Sequence, residues 1–178
     1  MGKSASKKFK YQSILEQFLA GREWHDELDV DAEEKTFSLV TGINLEGQNA
    51  KLIVQAGEDV EMVDVVIIYG FACKENKLQE MAILLNAIHL RCMYGRFLVD
   101  VEDGEIRWHH RVDFQGSEPT GQSVEQIVGP GWNFAEIFAS TIAAVALTKQ
   151  TAADAIAEFD ESQKNGEEGS DDGEVTEL

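Results

Sequence analysis

Two adjacent histidines, His109 and His110, are the residues of this sequence best suited to acid–base or metal chemistry. They lie in the run 95–114, where apolar and polar residues alternate as in a β-strand. Because neighbouring residues of a strand point to opposite faces of a sheet, one site cannot readily use both rings. The alternation predicts a packed His110 on the core face beside Trp108, and a surface His109 on the other face.

Paired carboxylates are the second candidate for chemistry, because a glycosidase-type acid and base are two such groups held close together. The acidic residues weighed for this role are Glu75, Glu80, Asp100, Glu102 and Asp103. The chain has 33 Asp and Glu residues, so such pairs arise easily by chance and are typical of a solvated surface. The alternative is a small hydrolase or transferase with an acidic site near residues 97–113, in which His109 acts with Asp100 or Glu102.

Motifs that specify a reaction are absent from the sequence. His25 and His89 are isolated, and no HExxH, GxSxG or GxGxxG pattern accompanies them. Cys73 and Cys92 lie in apolar segments without a CxxC spacing, which is typical of small core residues. We therefore expect a non-enzymatic protein with no catalytic residue, no metal site, no cofactor and no small-molecule substrate.

A basic stripe is the best candidate for binding. On one face of the predicted strand, Arg107, His109 and Arg111 form a local exception in an acidic protein, which suits an acidic segment of a partner. Asp100 opposite Arg107 favours the simpler interpretation of an ion-paired outer surface. The large aromatic side chains that could be buried either in an interface or in the core are those of Trp24, Trp108 and Trp132. The residues predicted to contact a partner are Ile68, Trp108, Arg107, His109 and Arg111.

A hairpin must position this stripe. The dipeptide Asp103-Gly104 readily takes the positive φ angles of a two-residue turn, which pairs Asp100 with Arg107 and Val99 with Trp108. One face of the hairpin then carries the apolar residues Val99, Val101, Ile106 and Trp108.

Four further strands precede the hairpin in the pattern. Residues 24–31 alternate as a half-exposed strand, and residues 37–43, 51–56 and 62–71 follow, separated by turns rich in Gly, Glu and Asp. The last of these is apolar on both faces, which is typical of a central strand. We expect helices on one side of it and a partner on the other.

Helical spacing of apolar residues predicts the remaining elements. The predicted helices are residues 9–21, 76–92, a short one at 123–128 interrupted by Gly129-Pro130-Gly131, and 134–145 with a continuation at 152–159 after a bend. Together the elements predict an α+β fold in the order α-β-β-β-α-β-β-α. Its antiparallel sheet has about five to six strands and packs against the helices.

Composition sets the domain organisation. Among 178 residues the net charge is −18, which disfavours binding to the phosphates of nucleic acids. We predict a flexible basic N-terminus (1–8), one folded domain (9–160) and a disordered acidic tail (161–178). The sequence shows no secretory signal and no bilayer-spanning apolar stretch, so we expect a cytoplasmic protein that binds no membrane.

The order of elements resembles the YbjN family. The marks that carry the resemblance are the helix bearing Asn86, the entry Gly95-Arg96-Phe97 into a strand, and the Asp103-Gly104 hairpin. They lie within residues 11–149, which leaves the basic start and the acidic tail outside. That family is described as regulators of bacterial sensory transduction, with a fold like that of type III secretion chaperones.

The resemblance implies a sheet backed by helices, with no cofactor and no active site. It also implies a protein that dimerises or holds extended segments of other proteins on apolar surfaces. We therefore expect a protein-binding or regulatory module whose partner is another protein or a second copy of itself, in a homodimer.

Overall fold

The computed structural model describes residues 8–168, which form six strands and five α-helices. The helices are α1 (Lys10–Gly21), α2 (Leu78–His89), α3 (Gly121–Ile137), α4 (Ala139–Leu147) and α5 (Ala152–Glu168). The strands are β1 (Asp29–Asp31), β2 (Thr36–Leu45), β3 (Gln48–Gly57), β4 (Met62–Ala72), β5 (Arg96–Val99) and β6 (Glu105–Asp113). A 3₁₀ turn, Glu75–Lys77, leads into α2. The predicted α+β class is confirmed.

The strands form one antiparallel sheet in the order β1-β2-β3-β4-β6-β5. β4 lies between β3 and β6, as its two-faced apolar pattern predicts. The β2–β3 hairpin closes through Glu46 and Gly47, whose φ angles of 48° and 85° suit a type I′ turn. The Asn44 Oδ1 atom accepts a 2.7 Å hydrogen bond from the Gly47 N–H and stabilises that turn.

The helices pack on one face of the sheet, which we call the inner face. Its strand residues alternate with less buried ones, as the period of two requires. A row across four strands of this face is at most 4% exposed and consists of Leu52, Ile67, Trp108 and Phe97. Trp108 is thus a central residue of the core.

The helix α3 passes through Pro130 without interruption, where the sequence predicts a break. A proline inside a helix costs about 3 kcal/mol because it removes a backbone donor and crowds the preceding turn. Gly131 lies directly on the Trp108 indole, so closely that a Cβ atom at position 131 would overlap the ring. Packing of α3 on this enclosed indole offsets the local cost, so the prediction of an interruption is wrong.

The β5–β6 hairpin has a longer loop than the predicted two-residue turn. Val99 pairs with Ile106, and Phe97 with Trp108, so the register differs by two residues from the prediction. Gly104 adopts a φ of 76°, and its carbonyl accepts a 2.8 Å hydrogen bond from the Cys73 N–H at the end of β4. This tertiary contact selects the longer loop, which local turn preference alone does not reveal.

The corrected register keeps most residues on their predicted faces, because a shift of two preserves the alternation. Val101 is the exception, since it lies in the loop and is 73% exposed. Arg107 faces Leu98 rather than Asp100, yet its Nη2 atom still lies 3.5 Å from Asp100 Oδ2 across the loop. The predicted ion pair therefore exists with a different backbone register.

The predicted strand at 24–31 is reduced to β1, Asp29–Asp31. Trp24 leaves the sheet and packs edge-on against Phe18 of α1, with ring centroids 5.9 Å apart. Burial of a large aromatic ring outweighs the few backbone hydrogen bonds that a longer edge strand would add.

The helix α5 continues to Glu168, past residue 161 where the tail is predicted to begin. Phe159 stacks on Phe138 with ring centroids 4.7 Å apart, and Asp160 pairs with Arg91 at 2.7 Å. These anchors hold the middle of α5, and Glu, Gln and Lys beyond them favour helix. Residues 1–7 and 169–178, which include most of the predicted flexible start and of the predicted tail, lie outside the described residues.

Candidate protein-binding surface

The face of the sheet opposite the helices is open within residues 8–168, and we call it the outer face. Register places the partly exposed apolar residues of four strands here: Val40, Ile53, Val66, Ile68 and Leu98. Val40, in mid-strand, is 55% exposed. The band is continuous over β2, β3 and β4, and Arg107 of β6 separates it from Leu98 on β5. An exposed apolar band on a sheet is typical of a surface that another polypeptide covers.

Charged side chains border the apolar band. The cations and the histidine are Lys51, Arg96, Arg107, Arg111 and His109, and the acids are Asp29, Asp31, Asp64, Glu105 and Asp113. His109 lies opposite Val66 on β4 and opposite Arg96 on β5, while Arg107 lies between Ile68 and Leu98. The outer face therefore combines apolar area with charges of both signs, and its share of cations is larger than the 15 basic against 33 acidic residues of the whole chain.

Two side chains hold His109 in place. The Arg96 Nη2 atom lies 3.3 Å from His109 Nδ1, and His109 Nε2 contacts Asp64 Oδ1. Because a guanidinium only donates, His109 Nδ1 must accept, which leaves Nε2–H to donate to Asp64. Arg111 pairs with the other oxygen of Asp64. The arrangement fixes the orientation of the His109 ring on the outer face.

Four of the five predicted contact residues share this surface. Ile68, Arg107, His109 and Arg111 lie on the outer face, on two adjacent strands. Trp108 does not, because it is fully buried on the inner face. It packs against Gly95 and Gly131 there, and its Nε1–H donates to the Tyr94 carbonyl at 3.3 Å.

Other residues of the outer face were not predicted from the sequence as contact residues. They are Val40, Lys51, Ile53, Asp64, Val66, Arg96 and Leu98. The sequence pattern indicates in part where they lie, since each alternates with core residues along its strand and so points away from the core. What the alternation could not supply was the order of the strands, which brings Asp64 on β4 beside His109 and Arg111 on β6.

The hydrolase or transferase alternative required His109 to act with Asp100 or Glu102. The structure instead pairs His109 with Asp64. A cavity of about 450 Å³ near the hairpin is lined by Lys51, Ile68, Asp103 and Glu105 among others, and His109 is not part of that lining. Within residues 8–168, no group of three His, Cys, Asp or Glu residues is arranged to hold a metal ion. No observation therefore favours that alternative.

The cysteines and His110 are shielded groups. Burial raises the pKa of the Cys92 thiol to about 11 and raises the pKa of Cys73 as well, so both remain protonated near neutral pH. Burial also lowers the pKa of His110, with further lowering by His109 and Arg96. His110 packs beside Trp108, with ring centroids 5.9 Å apart, as predicted from the sequence.

An open sheet edge adjoins the outer face. β1 pairs only with residues 36–38 of β2, so within the described part of the chain the rest of β2 has no strand on that side. Unpaired backbone groups on such an edge can accept an added strand. Val40 belongs both to this edge and to the apolar band, so the two surfaces are continuous.

None of the helices within residues 8–168 has the combination of length and apolar composition that crossing a bilayer requires.

Comparison with known proteins supplies a fold relationship. No family model and no curated protein match this chain. A chain in the crystal structure of the ExsC–ExsE complex has a similar fold, with a TM-score of 0.51 at 14% sequence identity. The match covers 74% of this chain and 94% of that one. At this identity the likeness establishes the fold alone. It supports the predicted chaperone-like fold, while membership of the YbjN family stays a prediction.

Proposed function

We propose that this protein is a non-enzymatic, cytoplasmic protein-binding module that holds a segment of another protein on the outer face. The observation that carries the proposal is the apolar band with residues from four strands, which no described helix covers. Covering apolar area is the main favourable term in protein association, and charges at the rim orient the partner. A fold neighbour that forms part of a protein complex is consistent with this role.

The edge of β2 suggests how a segment would be held. An extended chain added beyond residue 38 would gain backbone hydrogen bonds from β2 and place alternate side chains beside Val40. A second copy of the protein could offer the same kind of strand, which would produce the predicted homodimer. A regulatory role, as in the YbjN family, would follow if holding the segment controls the partner's availability.

Site-specific photo-crosslinking in the native host tests the proposal. A photo-crosslinking amino acid replaces Val40 on the outer face or, as a matched control, Ile83 on α2; these residues are 55% and 52% exposed. We expect defined protein adducts from position 40 and not from position 83. Identical adducts from both positions, or none from position 40, would contradict the proposal.

A substitution extends the test to the middle of the surface. Ile68→Asp places a charge in the apolar band and should remove the adducts formed at position 40. Ile83→Asp should leave them unchanged. Circular dichroism and thermal melting of both variants show that the protein stays folded. Light scattering distinguishes a second copy from a different partner, because only the former changes the mass of the purified protein.

A further inference from the structure

The edge of β2 lacks the features that keep sheet edges from pairing. Such edges are usually short or carry Lys, Pro or a bulge, whereas β2 is ten residues long and its register with β3 is unbroken. Among the strands of the described chain, β2 alone has no charged residue. At the opposite edge, β5 is four residues long, begins with Arg96 and packs against α2. In a chain of net charge −18, β2 is thus the strand where two copies meet with least repulsion.

Backbone groups in the middle of β2 point towards the open side of the sheet. Just before β2, the Lys35 carbonyl accepts a 3.0 Å hydrogen bond from the Glu58 N–H, so the odd-numbered residues of this strand exchange hydrogen bonds with β3. The even-numbered residues point the other way, and only those before residue 39 meet β1. Within the described part of the chain, the outward N–H and C=O groups of Val40, Gly42 and Asn44 therefore have no hydrogen-bond partner.

These three positions match a second copy of the same strand. When a two-fold axis passes through Gly42, this residue faces its own counterpart, and Val40 faces Asn44 of the other copy. In each of these pairs the outward N–H and C=O groups meet, as in an antiparallel ladder. The ladder stops before residue 38, so β1 keeps its place. Gly42 also leaves room at the axis, because nothing lies within 4 Å of a Cβ atom at this position.

We propose that two copies of this protein pair along residues 40–44 of β2, about a two-fold axis through Gly42. Two sheets of six strands then form one sheet of twelve. Because Val40, Gly42 and Asn44 all lie on the outer face, the outer faces of the two copies join on one side of this sheet. The dimer does not rest on the proposed function. Where both hold, the partner's segment lies on the joined apolar bands, since the middle of the β2 edge is occupied.

Light scattering and sedimentation of the purified full chain test the dimer. We expect the mass of two copies over a concentration series. The dimer should become tighter between about 0.05 M and about 0.5 M salt, because salt screens the repulsion of two acidic bodies and β2 contributes no ion pair that salt could weaken. A chain that stays monomeric throughout, or a dimer that salt dissociates, would overturn the proposal.

A charge at Gly42 tests the position of the axis. Gly42→Glu sets two like charges against each other and should raise the dissociation constant of the dimer about tenfold or more. Gly21→Glu is the matched control, because a Cβ atom there also meets nothing within 4 Å, and it should leave the dimer unchanged. Gly42→Lys should weaken the dimer as well, but a mixture of Gly42→Glu and Gly42→Lys should associate again. Circular dichroism checks the fold of each variant. Full association of Gly42→Glu, or none in the mixture, would overturn this axis.

Cysteine substitutions test the register. Facing residues of a hydrogen-bonded pair have Cα atoms about 5.5 Å apart, within the range of a disulfide. Oxidation of Gly42→Cys should therefore give a covalent dimer. Val40→Cys alone should not, but mixed with Asn44→Cys it should, because these two positions face each other across the axis. Val40→Cys that crosslinks with itself as readily as Gly42→Cys would overturn the register.

Photo-crosslinking from position 40 then separates this inference from the proposed function. Adducts with other proteins, together with a purified chain that stays monomeric, leave the proposed function standing and overturn the dimer. A covalent dimer of Gly42→Cys without adducts to any other protein supports the dimer and contradicts the proposed function instead.

Discussion

Two neighbouring histidines have opposite environments in this protein. His109 is on the outer face, bound by Asp64 and facing Arg96, while His110 is on the inner face beside Trp108. Strand alternation alone assigns the two rings to different faces. The partner of His109 was not predictable, because Asp64 is 45 positions earlier in the chain and meets it only through the β4–β6 pairing.

His110 should make the stability of the protein sensitive to acid. Its pKa is lowered in the folded state, mainly by burial, from an ordinary value of 6.5. The unfolded chain therefore binds this proton more readily, so the stabilisation is complete above the unfolded-state pKa and falls as pH decreases through it. We expect His110→Gln to lose less unfolding free energy than the wild type between about pH 7.5 and about pH 5.5.

Urea unfolding at the two pH values measures this difference. Replacing His25, which lies in an exposed loop, by Gln is the control and should leave the pH dependence unchanged. An equal loss of stability in His110→Gln and the wild type would show that His110 takes no part in it.

Elements were predictable where local pattern and tertiary packing agree. The two-faced pattern of β4 identified the central strand, and the first two helices have boundaries close to those expected. The predicted and observed elements differ where a contact with a residue distant in the sequence determines the local structure. Trp108 holds α3 continuous through Pro130, and the bond from Cys73 to Gly104 lengthens the hairpin loop.

Two glycines of α3 provide a matched test of its packing. Gly131→Ala should destabilise the protein by about 1–3 kcal/mol, because the new methyl group would overlap the buried Trp108 ring. Gly129→Ala meets only Glu125 Oε1, at 3.2 Å, and that carboxylate is paired with Arg22. A small shift of this ion pair accommodates the methyl group, so helix propensity should stabilise by up to about 1 kcal/mol. Thermal and urea unfolding of the two variants give the values. Equal effects at both positions would contradict this account of the α3–Trp108 contact.

At the scale of the whole molecule, α5 is part of the folded body. Ala152 and Ala155 are nearly inaccessible, and Phe159 stacks on Phe138. The fold neighbour supports the overall architecture, although its 14% identity transfers no residue roles. Within residues 8–168, helices cover one face of the sheet and none covers the other.

Two truncations locate the boundary of that body. Ending the chain at Glu168 should change the unfolding free energy by less than about 1 kcal/mol. Ending it at Gln150 removes α5 and should cost about 3 kcal/mol or more, since it uncovers α2 and α4 and deletes a packed aromatic ring. Calorimetry or urea unfolding measures both. A shorter chain as stable as the longer one would place α5 outside the folded body.

The sequence by itself determined the fold class, most strands and the first two helices. It also placed Arg107, His109 and Arg111 on one face, because side-chain periodicity is a local property of the backbone. Tertiary structure decided which strands are neighbours, the hairpin register, the continuity of α3 and the burial of Trp108. Those outcomes depend on contacts between residues far apart in the chain. The outer face emerges only when five strands align, so no single segment could reveal it.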